Sequence, residues 1–176
     1  RWLRSLLANG DPCALLSGRS PAVRVPIMNP EPTYHFCTEV RVRLPETDAM
    51  GIVFHGNYFT YLEVGRVDYL RNLGLCEGIR PIRDFENVVV AAHLDFRSPA
   101  RLDDPLIIDV KTGEIRKTSF RFDFRIRHKR NNRVVAEGYT VHCALDDDFK
   151  PMEVPEAFKQ TIAAFERWET PPRASR

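Results

Sequence analysis

Cysteine is scarce and scattered in this chain: Cys13, Cys37, Cys76 and Cys143 form no CxxC pair and no dense framework. That excludes a disulfide scaffold and the common zinc ribbons. Cys37 and Cys143 fall in strand-like stretches where buried, reduced thiols are expected, so a reducing compartment is the simplest setting. No apolar run approaches the ~20 residues that cross a bilayer, so no membrane span is expected. A net charge of only +2 over 176 residues gives no bulk electrostatic reason to expect nucleic acid as a partner. The histidines, His35, His55, His93, His128 and His142, show neither HxxxH nor HExxH spacing, and His35 with Cys37 or His142 with Cys143 fits no common ligand pattern. No metal and no cofactor are therefore expected. A GxSxG elbow and a Gly-rich phosphate loop are also missing, which argues against serine-hydrolase and nucleotide-phosphate chemistry.

What is present is enough chain for one domain with a buried core. Phe36, Thr38, Val40, Val42 and Leu44 alternate with Cys37, Glu39, Arg41 and Arg43, the period of a half-buried strand. A helix is expected from about Asn57 to Gly74, with Tyr58, Leu62, Tyr69 and Leu73 on one face and further apolar residues around it. Strands follow over Val88–Phe96, Leu106–Ile115, Ser119–Arg127 and Arg133–Leu145, with a hairpin turn at His128–Arg133 where Asn131 and Asn132 tolerate positive φ. Pro155 opens a short last helix to about Trp168. The class is α+β: an antiparallel sheet curled round one long helix.

The two ends read differently. Residues 1–33 carry Arg1, Arg4, Arg19 and Arg24 against Asp11 and Glu31, and are interrupted by Pro21, Pro26, Pro30 and Pro32. Such an Arg-rich, acid-poor leader fits a flexible extension, or the remnant of an organelle transit peptide; without the latter, the expected location is cytoplasmic. Residues 34–168 make the domain, and 169–176 a frayed tail.

The stretch ETDAMGIVFHGNYFTY, Glu46 to Tyr61, is where chemistry is expected. Pro45 to Gly51 reads as a turn, Ile52 to Phe54 as a short apolar run, and Gly56 and Asn57 as a helix start. The unpaired N–H groups of a first helical turn can hold an oxygen that gains negative charge, while a nearby carboxylate attacks a carbonyl or activates water. That combination suits acyl transfer or hydrolysis. From spacing alone, Asp48 reads equally as a turn residue satisfying backbone amides, and His55 as a structural histidine. Glu63, three residues before Arg66, reads as half of a surface pair more readily than as a second acid on the helix.

Asp48, Gly51, Val53, His55, Asn57 and Tyr58 resemble the signature of hotdog-fold acyl-CoA thioesterases of the 4-hydroxybenzoyl-CoA thioesterase type, which include the Tol–Pal-associated bacterial enzymes. FRSPARLDDPLIID, Phe96 to Asp109, and RKTSFRFDFRI, Arg116 to Ile126, are similar to the family's next strands, so the likeness covers Thr38 to Phe158. The resemblance implies a hotdog fold and metal-free hydrolysis of an acyl-CoA substrate. It implies Asp48 as nucleophile or general base, and the main-chain amide near His55 as oxyanion donor, with Gly51, Val53, Asn57 and Tyr58 around them. Arg116, Lys117 and Ser119 match positions along the family's nucleotide groove; they read equally as a solvated hairpin end. Arg97 and Arg101 lie in a loop that fits either an acyl pocket or a subunit contact. The resemblance further implies a homodimer or homotetramer with sites between subunits. A hotdog hydratase or dehydratase, and a non-catalytic acyl-CoA sensor or scaffold subunit, are the alternatives. Phe54, Phe59, Phe85 and Phe96 suit either an aryl or a fatty acyl group.

Overall fold

The computed structural model describes residues 33–76 and 85–168. Within them the order is β1 (Phe36–Arg41), α1 (Asn57–Asn72), β2 (Glu86–Phe96), β3 (Pro105–Ile115), β4 (Ser119–His128), β5 (Val134–Leu145) and α2 (Glu156–Phe165). Every strand pairing is antiparallel, and the sheet runs β1-β3-β4-β5-β2. The expectations for the leader, for Cys13 and for the C-terminal tail lie outside the described residues.

The two-residue period of β4 separates the faces of the sheet. Phe120, Phe122, Phe124 and Ile126 point inward and are buried, while Arg121, Asp123, Arg125 and Arg127 stay half-exposed on the other side. Helix α1 crosses the inner face so closely that a Cβ built on Gly65 would lie 2.8 Å from Ile108 Cγ2 and 3.0 Å from Val110 Cγ2 of β3. Tyr69, wholly buried, fixes the far end of α1. Its ring meets Phe36, Phe122 and Phe165 at 5.7, 5.8 and 5.7 Å, and its hydroxyl donates to Glu166 at 2.6 Å. Burial and that carboxylate push the Tyr69 phenol well above its ordinary range, so it remains a donor. Helix α2 covers another part of the same core, Phe158 packing on Phe85 and Phe120 at 5.3 and 5.1 Å.

Three expectations change. The first strand ends at Arg41 rather than Leu44, because Leu44–Glu46 turns as a 3-10 helix around Pro45 and leaves Leu44 68% exposed. Cys37 is exposed, not buried, since it shares the outward side of β1 with Glu39 and Arg41; Cys143 is half-buried. The Glu63–Arg66 pair forms, but only Glu63 is at the surface: the Arg66 side chain is 6% exposed. In the 128–133 hairpin, Asn132 takes φ of +57° as the sequence predicts. No described helix is long and apolar enough to cross a membrane.

Candidate functional site

The segment between β1 and α1 is a small hydrogen-bonded hairpin. Thr47 and Val53 form an antiparallel bridge; at its tip the Asp48 amide donates to Ile52 O (2.9 Å) and the Gly51 amide to Asp48 O (2.9 Å). Gly51 adopts φ of +70°, a conformation that glycine reaches at no steric cost. Asp48 Oδ1 accepts the Met50 amide at 2.8 Å, which orients the carboxyl; Oδ2 has no hydrogen-bond partner among the described residues. The side chain is half-buried. Arg101 approaches the same turn, its Nη1 lying 3.8 Å from where a Gly51 Cβ would be.

The other arm leads into α1. Val53 is buried and donates its amide to Ala100 O at 2.9 Å, which ties the hairpin to the loop before β3. The amides of Phe54, Asn57, Tyr58 and Phe59 go to Glu46 O, Phe54 O, His55 O and Gly56 O. The amides of His55 and Gly56 have no backbone acceptor among the described residues. They sit at the positive end of a 16-residue helix whose N-cap, Gly56, offers no side-chain cap. The His55 side chain is exposed and leans on Phe54, ring centroids 4.2 Å apart. Tyr58 is 3% exposed and packs on Tyr61 and Phe96, so it is a wall of the core rather than a free phenol. Asn57 belongs to the scaffold: its Nδ2 donates to Glu46 O at 2.9 Å.

Glu46, which the sequence left without a role, is the residue that holds the two arms together. Its carbonyl accepts both the Phe54 amide and Asn57 Nδ2. Its buried carboxylate accepts the Tyr61 hydroxyl (2.6 Å), the Arg43 amide (2.7 Å) and the Arg43 guanidinium. Burial opposes its ionisation, but those donors outweigh it and leave the group below the usual carboxylate range. The one available signal was the three-residue spacing of Arg43 and Glu46 across Pro45.

Two cavities occur among the described residues, the first at the β3–β4 turn, which is at the opposite end of β3 from the Asp48 hairpin, and the second along α1. One, of about 210 Å³, is lined by Glu114, Arg116, Ser119, Arg121 and Tyr139, and so gathers two of the three nucleotide-groove candidates. Arg116 pairs there with Glu114 at 2.9 Å. Lys117 lies in the adjoining turn, is exposed and has no ion pair among the described residues; its carbonyl accepts the Val154 amide. The second, of about 180 Å³, opens along α1 between Phe59 and Arg66. Of the four phenylalanines considered for an acyl pocket, only Phe59 lines it; Phe85 is in the core, and Phe54 and Phe96 are surface-exposed. Arg97 pairs with Asp95 and Glu137 and lines neither cavity. No three His, Cys, Asp or Glu side chains among the described residues gather to hold a metal ion.

The antiparallel sheet with α1 laid across its inner face defines a hotdog fold, and residues 42–162 match the family model described as the thioesterase-like superfamily. The chain belongs to that superfamily, and is an enzyme of the thioesterase class. It is 30% identical over 133 residues to the acyl-CoA thioesterase YbgC of Haemophilus influenzae, covering 74% of this chain and 93% of that one. The acyl-CoA thioester hydrolase YbgC of Escherichia coli is 30% identical over 128 residues, with coverages of 73% and 93%. Among solved structures, the 1,4-dihydroxy-2-naphthoyl-CoA thioesterase of Synechocystis superposes with a TM-score of 0.66 at 23% identity, over 73% of this chain and 95% of that one, a likeness of fold.

Proposed function

We propose that this protein hydrolyses acyl-CoA thioesters to the free acid and coenzyme A, with Asp48 and the amides at the start of α1 as its catalytic groups. The carrying observation is the Glu46-centred hairpin: among the described residues, a carboxylate oxygen on one arm has no hydrogen-bond partner and two amides on the other have no backbone acceptor. The thioester carbonyl oxygen would lie against the amides of His55 and Gly56. Asp48 either takes the proton of a water that attacks the carbonyl carbon, or attacks it directly to form an acyl anhydride that a water then cleaves to the free acid and the regenerated carboxylate; in both cases the thiolate of coenzyme A leaves and is protonated. Donors fixed where the charge develops need no reorganisation at the moment of reaction, and one such donor is commonly worth about 10²–10³ in rate. His55 acts through its main chain, which fits its exposed, solvent-facing ring.

The nucleotide of coenzyme A would lie by Arg116, Lys117 and Ser119. The Arg116–Glu114 pair is exposed, and exposed pairs are worth little, so a phosphate can displace Glu114 cheaply. The site is read as complete in a homodimer or a tetramer built from it. The test is thiol release from a panel of short, aromatic and long-chain acyl-CoAs. Asp48→Asn should lower kcat by about 10²-fold or more while leaving the fold and coenzyme A affinity intact. Near-normal turnover in that variant would refute Asp48, and tight acyl-CoA binding without thiol release would favour the sensor reading. Lys117→Ala should raise KM severalfold with little change in kcat, because phosphate contacts hold ground and transition states equally.

A further inference from the structure

The 180 Å³ cavity along α1 has a polar feature that catalysis does not use. Phe59, Leu62 and Phe124 give it apolar walls, and Arg66, 5% exposed, lines it. The guanidinium donates to Glu63 through Nε (3.0 Å) and Nη2, but its buried Nη1 has no hydrogen-bond partner among the described residues. A buried donor of a charged group left without an acceptor is costly, and native proteins rarely keep one without a use. The neighbouring polar groups do not supply the acceptor. His142 engages Thr140 Oγ1 (3.0 Å) through Nε2 and Asn87 Oδ1 (2.9 Å) through Nδ1, and burial with the nearby Arg66 charge lowers its pKa to about 4.

Resting on the thioesterase reading above, we propose that this cavity receives the acyl group and that Arg66 selects a compact acyl chain bearing a neutral oxygen, a hydroxyl or keto group, remote from the thioester. Size is the first argument. A cavity of about 180 Å³ compares with the ~150 Å³ site that holds one benzene, so a single substituted ring or about six carbons fills it. Distance is the second. The guanidinium is drawn back to the level of Glu63, seven residues from Gly56, or about 10 Å along the axis. That span suits a short acyl group hydrogen-bonded at both ends. Charge is the third: Arg66 is already neutralised by Glu63 and His142 is uncharged at neutral pH, so an anionic tail would meet the Glu63 carboxylate without a free cation to offset it.

The experiment measures kcat/KM for matched pairs, benzoyl-CoA against 4-hydroxybenzoyl-CoA and hexanoyl-CoA against 5-hydroxyhexanoyl-CoA, with palmitoyl-CoA as the long probe. The hydroxylated member of at least one pair should be favoured roughly tenfold or more, and Arg66→Met should bring that ratio close to one. A wild-type ratio near one in both pairs, a ratio unmoved in Arg66→Met, or palmitoyl-CoA as the best substrate would overturn the proposal. The wild-type ratios decide the matter even if the variant fails to fold. If no thioester releases thiol, the hydrolysis reading fails, and the dissociation constants of the same pairs decide the inference: they must differ by the same factor.

Discussion

At the scale of single residues, the site depends most on one that does no chemistry. Glu46 is held ionised inside the protein by Tyr61 and Arg43, and its own carbonyl carries both arms of the hairpin. Removing the Tyr61 hydroxyl takes one donor from a buried carboxylate, so Tyr61→Phe should cost about 1–3 kcal/mol and loosen the Asp48 turn. The pH dependence has a definite sign. Because the folded-state pKa of Glu46 is depressed, its contribution to stability is complete at neutral pH. It is lost as the pH falls through the ordinary glutamate range toward the native value. Urea unfolding of the wild type and of Glu46→Gln at about pH 7 and about pH 3 should give curves that differ at the higher pH and converge at the lower; an equal gap at both would refute the role. The sequence made Asp48, Gly51 and the helix start legible because turn formers and a DxxGxV spacing are local signals. Glu46 was not legible, since its partner Tyr61 is 15 positions away and only the fold brings them together.

At the scale of elements, close approach decides what the sheet can carry. Gly65 is a point of close approach between α1 and β3, and two effects compete there when a side chain is added. Alanine gains about 1 kcal/mol of helix propensity, against a Cβ contact of 2.8 Å with Ile108. Valine has little such gain and a larger clash. Gly65→Val should therefore lose about 1–3 kcal/mol and lower Tm by roughly 2–10 °C, read by thermal denaturation; an unchanged Tm would mean that α1 can lift without cost. The strands were legible from alternation, β4 most plainly, and the hairpin at 128–133 from its asparagines. The end of β1 is misplaced because Val42 and Leu44 continue the alternation beyond Arg41, where the strand stops ahead of the turn at Leu44–Glu46. The depth of Arg66 was hidden for a related reason: an i,i+3 acid–base pair looks the same in sequence whether one member is buried or both are in water.

At the scale of the whole molecule, the sheet is asymmetric. Its edge strand β2 pairs only with β5 among the described residues, is 11 residues long, and exposes Val88, Val89 and Val90 at 41%, 54% and 58%. A long apolar edge with unpaired main-chain groups invites another strand, and a second copy satisfies it in a closed, two-fold manner. The bulge between Val89 and Ala91 twists this strand locally without removing the exposed valines. Val89 and Ala92 of the same strand line the cavity along α1, so on the acyl-site reading proposed above whatever covers β2 also walls the bound acyl group. On this reading pairing and activity are coupled. The wild type should sediment at about twice its 20.3 kDa or more. Val89→Lys with Val90→Lys should shift it toward the monomer by placing charge on the edge, and thiol release should fall in step with the dimer fraction as protein is diluted. A monomeric variant with wild-type kcat/KM would separate the two and show that each chain's site is complete on its own.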